Sequence, residues 1–186
     1  MNNYITLYEN TLSQEECQNL IDKFEVHGDL HEIEHITAPD GWHMQFTQIK
    51  LANHQIFESE NKKLRALFLE AIKTYKKEHG IKPHQWPTKF NLEPIRMKRY
   101  LPSTNERFDE HVEVTNLETA RRFLVAFIYL NDDFQGGETD FPQLKILVKP
   151  KQGNMVLFPA MWNWLHKGLP VKKKPKYIIG TMMHYV

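Results

Sequence analysis

The chain has 186 residues, with 24 Lys plus Arg against 23 Asp plus Glu and 41% hydrophobic residues. This length suits one compact domain with a core of its own, and the near-zero net charge argues against a nucleic-acid binder that relies on a general basic field. A lone cysteine, Cys17, excludes an intrachain disulfide and a thiolate zinc cluster, no apolar run reaches the ~18 residues of a membrane helix, and residues 1–12 lack a secretory pattern; the expectation is a cytoplasmic protein without membrane attachment.

Residues 1–90 read as a helical support region and 91–186 as a β core, together one domain. Ser13 and Glu16 have capping-box spacing, and Cys17, Leu20, Ile21 and Phe24 fall on one helical face that stops near Gly28. A second helix is expected over Ser59 to His79. Its apolar stripe is Leu64, Leu67, Phe68, Ala71, Ile72 and Tyr75, and Gly80 closes it. Between the helices, His31, Glu32, Glu34 and His35 suit a metal only if helical and read better as an exposed polar segment. Trp42 and Phe46 lie in alternating sequence that suits a strand.

After Pro83 the texture changes. Short apolar runs (95–100, 123–130, 146–148, 155–158 and 177–186) alternate with turn residues, among them Gly136-Gly137 and Gly153. Many short strands without helical periodicity between them suggest a sandwich or barrel. Lys172 to Lys174 read as a solvated turn.

Two histidines in this region stand in suggestive contexts. In a strand through Phe108–Val114, His111 and Glu113 point to one face. His166 lies far off in sequence, but a jelly roll can make distant strands neighbours. Two imidazoles and a carboxylate on one face leave three octahedral positions open, the facial triad of non-haem Fe(II) oxygenases. Taken by itself the triplet is weak, because the chain has ten histidines.

Its surroundings carry more. Tyr100 precedes His111-Val112-Glu113. Arg122, Tyr129-Leu130-Asn131-Asp132 and Gly136-Gly137-Glu138-Thr139-Asp140-Phe141-Pro142 follow. Then come Val148-Lys149-Pro150-Lys151-Gln152-Gly153, a strand ending at Phe158, His166-Lys167-Gly168 and Lys176. This order and spacing resemble the prolyl 4-hydroxylase-like branch of the 2-oxoglutarate, Fe(II)-dependent dioxygenases. The resemblance implies a double-stranded β-helix (jelly roll, cupin-like) braced by N-terminal helices. It implies iron held by His111, Glu113 and His166, with 2-oxoglutarate and O2 as cosubstrates and ascorbate as an accessory reductant. It further implies that Lys176 pairs with the far carboxylate of 2-oxoglutarate, that the Tyr129 hydroxyl helps, and that Tyr100 lines the cavity.

The implied reaction is hydroxylation of an unactivated C–H bond, above all of proline in a peptide or protein. The alternatives are another amino-acid side chain, a small molecule, or a non-catalytic cupin-like binding module. No obligatory nucleic acid is expected, and the sequence does not spell an oligomeric state. Segments 35–57 and 101–110 are the expected lid and groove. Thr139, Gly136 and Gly137 read as structural, and Trp162 and Trp164 as walls of the cavity or sheet packing. One departure stands out: the family pattern is His-x-Asp, whereas this chain has Glu113, whose extra methylene moves the carboxylate by ~1.5 Å on an unchanged backbone. Asp109 is the substitute candidate.

Overall fold

The computed structural model describes residues 3–102 and 105–186. Met1, Asn2, Ser103 and Thr104 lie outside the described residues, and with the last two goes part of the expected 101–110 lid segment. The described residues form two α-helices, α1 (Gln14–Val26) and α2 (Glu58–Glu78). The strands are β1 (Thr6–Tyr8), β2 (Glu32–Thr37), β3 (His43–Lys50), β4 (Phe90–Leu92), β5 (Arg96–Tyr100), β6 (Phe108–His111) and β7 (Arg122–Tyr129). They continue with β8 (Gln135–Gly136), β9 (Thr139–Phe141), β10 (Ile146–Val148), β11 (Met155–Pro159), β12 (His166–Gly168), β13 (Val171–Lys172) and β14 (Lys176–Tyr185).

The capping box forms as its spacing predicts. Ser13 Oγ accepts from the Glu16 amide at 3.2 Å, and Glu16 Oε2 accepts from the Ser13 amide at 2.7 Å. These bonds satisfy backbone donors that the first helical turn leaves without intrahelical partners. Cys17, Leu20, Ile21 and Phe24 are buried, and so are Leu64, Phe68, Ile72 and Tyr75 of α2. Burial pushes the Cys17 thiol up to about 11, so it behaves as a small hydrophobe. Gly80 adopts φ +60°, the left-handed conformation that ends α2.

The strands form one curled antiparallel sheet in the order β1-β11-β7-β14-β5-β3-β6-β12-β9-β10, with β2 on β3 and β4 on β14. A separate pair joins β13 to β8. The fold is mainly β, a jelly roll as the sequence led us to expect. The first 90 residues, however, are more than helical support: β1, β2 and β3 lie there, and β3 sits inside the sheet between β5 and β6. The His31–His35 segment is accordingly no helix. Glu32 to Thr37 form β2, where Glu32 pairs with Lys50 at 2.7 Å and Glu34 accepts from Gln48.

Strand alternation divides the core in two. Leu124, Ala126 and Ile128 of β7 face outward and pack with the helices, together with Met97 and Ile179. Val125, Phe127 and Tyr129 face the barrel interior with Phe141 and Phe158. The helices thus cover one face of the curled sheet, and the enclosed face is free to build a cavity.

Candidate metal centre

The central pairing is between β6 and β12, which sets His166 directly opposite His111. Strand β6 ends at His111, and Glu113 stands in the bend that follows. The same-face relation therefore does not come from a continuous strand. The turn-back of the chain brings the longer side chain in. Glu113 Oε1 lies 3.5 Å from His111 Nε2 and 3.6 Å from His166 Nε2. The three donor atoms all fall within 4.8 Å of one another, and the side chains are only 7–10% exposed.

Both imidazoles are oriented from behind. His111 Nδ1 donates to the Asp109 carbonyl at 2.8 Å, and His166 Nδ1 donates to the Trp164 carbonyl at 2.9 Å. A carbonyl can only accept, so each ring donates from Nδ1 and turns its Nε2 toward Glu113. Burial also pushes His111 toward its neutral form. Burial alone would raise the Glu113 carboxyl, but the two imidazoles at Oε1 outweigh it and hold the group well below the usual carboxylate range. Two imidazole nitrogens and a carboxylate oxygen facing one point fit a divalent cation, and the back-side carbonyls are the partners metal-bound imidazoles use. Phe108 stacks on His111 with ring centroids 3.4 Å apart, while Phe141 and Phe158 flank His166 at 5.5 and 4.7 Å.

The other oxygen of the carboxylate has its own neighbour. Arg122 Nη1 lies 3.7 Å from Glu113 Oε2 and 3.2 Å from the Glu113 carbonyl. Glu93 grips the same guanidinium through two bonds, 2.7 Å to Nε and 3.0 Å to Nη2. Asp109, the substitute candidate, is not in the donor group. Its carboxylate accepts from Arg107 Nε at 2.7 Å and from the His43 amide at 2.9 Å, and only its carbonyl serves the site.

The three donors open into a cavity that Lys176 and Tyr100 also line. Lys176 is buried, its Nζ donates to the Gly137 carbonyl at 2.6 Å, and the ammonium lies over the Tyr100 and Tyr129 rings at 5.6 and 5.4 Å. Burial brings its pKa down to about 7, against the opposing pull of Glu138. Gly137 is required for this approach: its φ is +72°, and a Cβ would stand 2.7 Å from Phe134 and 3.2 Å from the Lys176 stem. Tyr129 is fully buried beside this lysine. Its hydroxyl shares a 2.7 Å bond with Thr139 Oγ1, and it is Thr139, read from sequence as structural, that lines the cavity. Trp162 is exposed and Trp164 donates to the Asn3 carbonyl; neither lines the cavity.

Sequence reasoning missed Arg96 and Lys98 on β5, both of which line the cavity. The signal was present: Tyr100 was expected to face inward, and residues 96 and 98 share its parity.

The profile of the 2OG-Fe(II) oxygenase superfamily matches residues 95–184, from the start of β5 nearly to the end of β14. A curated protein of Acanthamoeba polyphaga mimivirus named "Putative prolyl 4-hydroxylase" is 29% identical over 160 residues. The match takes in 73% of this chain and 64% of that protein. Among solved structures, viral collagen prolyl hydroxylase from Paramecium bursaria Chlorella virus-1, solved with 2OG, superposes with a TM-score of 0.68 at 24% identity, over 98% of this chain and 96% of that one. A Trichoplax adhaerens prolyl hydroxylase in complex with a hypoxia inducible factor peptide gives a TM-score of 0.76 at 13% identity, over 98% and 84%. At these identities the structural likeness is one of fold.

Proposed function

We propose that this chain is a member of the 2OG-Fe(II) oxygenase superfamily, whose profile matches residues 95–184, and that it is a 2-oxoglutarate- and Fe(II)-dependent dioxygenase that hydroxylates proline in a peptide or protein. The observation that carries the reading is the meeting of three potential ligand atoms, His111 Nε2, His166 Nε2 and Glu113 Oε1, in a cavity with a buried lysine. Iron bound there would supply the oxidative decarboxylation of 2-oxoglutarate to succinate and CO2 that drives C–H hydroxylation.

The protein's share is geometry, charge and dryness. His111, Glu113 and His166 occupy one side of the site and leave the cavity side open. Lys176 offers a cation at the secluded end, where a carboxylate would otherwise lose its hydration without recompense. Tyr100 and the phenylalanines exclude water. The Thr139 hydroxyl, held by Tyr129, is a further hydrogen-bonding group on the cavity wall. The prolyl preference draws its support from the sequence resemblance and from the names of the relatives. Because Glu113 Oε1 stands between the imidazoles, Glu for Asp at this position gives no support to a non-catalytic module.

The test is release of succinate from 2-oxoglutarate by the anaerobically iron-loaded protein on addition of O2, with proline-containing peptides examined for a gain of one oxygen. Decarboxylation that depends on iron and on His166 is the expected result. Its absence with the metal demonstrably bound would overturn the reading.

A further inference from the structure

Lys98 is a second ammonium in the cavity, and the reaction as proposed gives it nothing to do. It lies midway along β5. On one side Arg96 pairs with Glu93 at 3.3 Å, in the network that reaches Glu113. On the other side the Tyr100 ring carries the Lys176 ammonium. Lys176 and Arg96 thus have polar partners. Lys98 makes no hydrogen bond or ion pair with any described residue; its Nζ lies 4.1 Å from the centre of the Phe46 ring and 5.7 Å from that of Phe108.

Two anions lie within electrostatic reach, and both are engaged. Glu113 faces the imidazoles and Arg122, and Glu34 accepts from Gln48 Nε2 at 2.7 Å. The aromatic faces attract the ammonium but satisfy none of its three N–H donors. Burial accordingly brings its pKa down to about 8, as expected of a cation that lacks a counterion.

Its place in the cavity says which ligand it suits. Lys176 is fully enclosed beside Gly137, whereas Lys98 is only half-buried. Phe46 belongs to β3 and Phe108 to β6, the strands of the two segments that the sequence marks as lid and groove. Phe108 also stacks on His111. Lys98 therefore stands on the wall between the donor triad and the groove, where an incoming substrate passes.

We propose that Lys98 binds a carboxylate of the primary substrate, so that the enzyme prefers an acceptor proline with an anionic group beside it. That group is either a neighbouring Asp or Glu side chain or the α-carboxylate of free proline. The inference rests on the proposed dioxygenase activity and names the charge class of its substrate.

The test uses short blocked peptides with a central proline and Glu or Gln at each adjoining position, together with free L-proline. Hydroxylation and succinate release are followed for wild type, Lys98→Met and Lys98→Arg. Binding of the same probes to Mn(II)- and 2-oxoglutarate-loaded protein is measured by calorimetry, so that charge preference is read even without turnover. Wild type should favour a Glu peptide, or free proline, over the Gln peptides by on the order of 10- to 100-fold. Lys98→Met should erase that preference and Lys98→Arg should keep it. A Glu response locates the carboxylate on a neighbouring side chain, and a proline response on the acceptor itself. Equal handling of Glu, Gln and free proline by wild type would overturn the proposal, as would a preference that survives in Lys98→Met. A raised 2-oxoglutarate requirement in Lys98→Met without any charge preference in wild type would also overturn it, and would give Lys98 to the cosubstrate. Wild type that binds the acidic probe preferentially yet never consumes 2-oxoglutarate would bring down the dioxygenase reading alone.

Discussion

Arg122 holds Glu113 from two sides of the peptide, with Nη1 3.2 Å from the backbone carbonyl and 3.7 Å from Oε2. The two carboxylate oxygens are thereby told apart: Oε2 faces the guanidinium and Oε1 faces both imidazoles. With Glu93 fixing the far side of the guanidinium, the longer side chain at the His-x-Glu position is steered into the donor group and does not swing freely. Arg122→Met should therefore weaken Mn(II) binding by ~10- to 100-fold, the usual effect of removing a partner behind a metal ligand. Calorimetric titration reads this directly, and Mn(II) affinity equal to that of wild type would show that Arg122 does not position the ligand.

Glu113 itself can be examined by replacement. Glu113→Ala should abolish coupled turnover and metal-dependent stabilisation, whereas Glu113→Asp should retain part of both. Ligand distances in metal sites are tight to ~0.2 Å, and the bend after β6 is arranged around the longer reach. Mn(II) at 100 times its dissociation constant should stabilise wild type by about 2.7 kcal/mol. That shift in thermal unfolding should vanish in His166→Ala and shrink in Glu113→Asp. An unaltered shift in Glu113→Ala would remove Glu113 from the ligand set.

Lys176→Met should raise the 2-oxoglutarate requirement far more than it alters metal binding. A charge-assisted bond in a secluded site contributes about 1.5–3 kcal/mol, or ~10- to 150-fold in affinity. Unchanged cosubstrate binding in the variant would move the carboxylate partner elsewhere in the cavity.

The same lysine predicts a pH dependence. In the free protein its pKa lies at about 7, and a bound carboxylate raises it, because an opposite charge favours the ammonium. Binding thus takes up a proton above pH 7. Affinity for 2-oxoglutarate should be full below pH 7 and fall by up to about tenfold per pH unit above it, until the bound-state pKa is reached. Lys176→Arg, which keeps its charge throughout, should flatten the profile. A wild-type profile already flat from pH 6 to 9 would contradict the buried-ammonium account.

Gly137→Ala should damage both fold and site. The residue sits at φ +72°, and a Cβ there meets Phe134, Val171 and the stem of Lys176. The strained backbone alone costs about 1–3 kcal/mol. The expected outcome is a lower unfolding temperature together with weaker 2-oxoglutarate binding. Full binding in the variant would show that Lys176 does not depend on this close approach.

The local signals were legible in the sequence because each is written within a few residues. Ser13 and Glu16 announce a helix start through hydroxyl and carboxylate at fixed spacing. The stripe from Leu64 to Tyr75 announces a buried helical face. The motif order from Tyr100 to Lys176 likewise named the three donors and the buried lysine. Long-range pairing was not legible. Nothing near residue 43 says that β3 inserts between β5 and β6, so residues 1–90 read as helical support. Nor could spacing say that the strand stops at His111 and that a bend delivers Glu113. Only folding places the Arg122–Glu93 pair behind that carboxylate, and only folding sets Thr139 between the Tyr129 hydroxyl and the cavity. The physical reason is that periodicity fixes which side of its own element a residue faces, whereas the partner it meets there is set by sheet register and chain reversal. Lys98 shows the division: its inward parity was written in the sequence, but its lack of a counterion became visible only once every neighbouring carboxylate had found another partner.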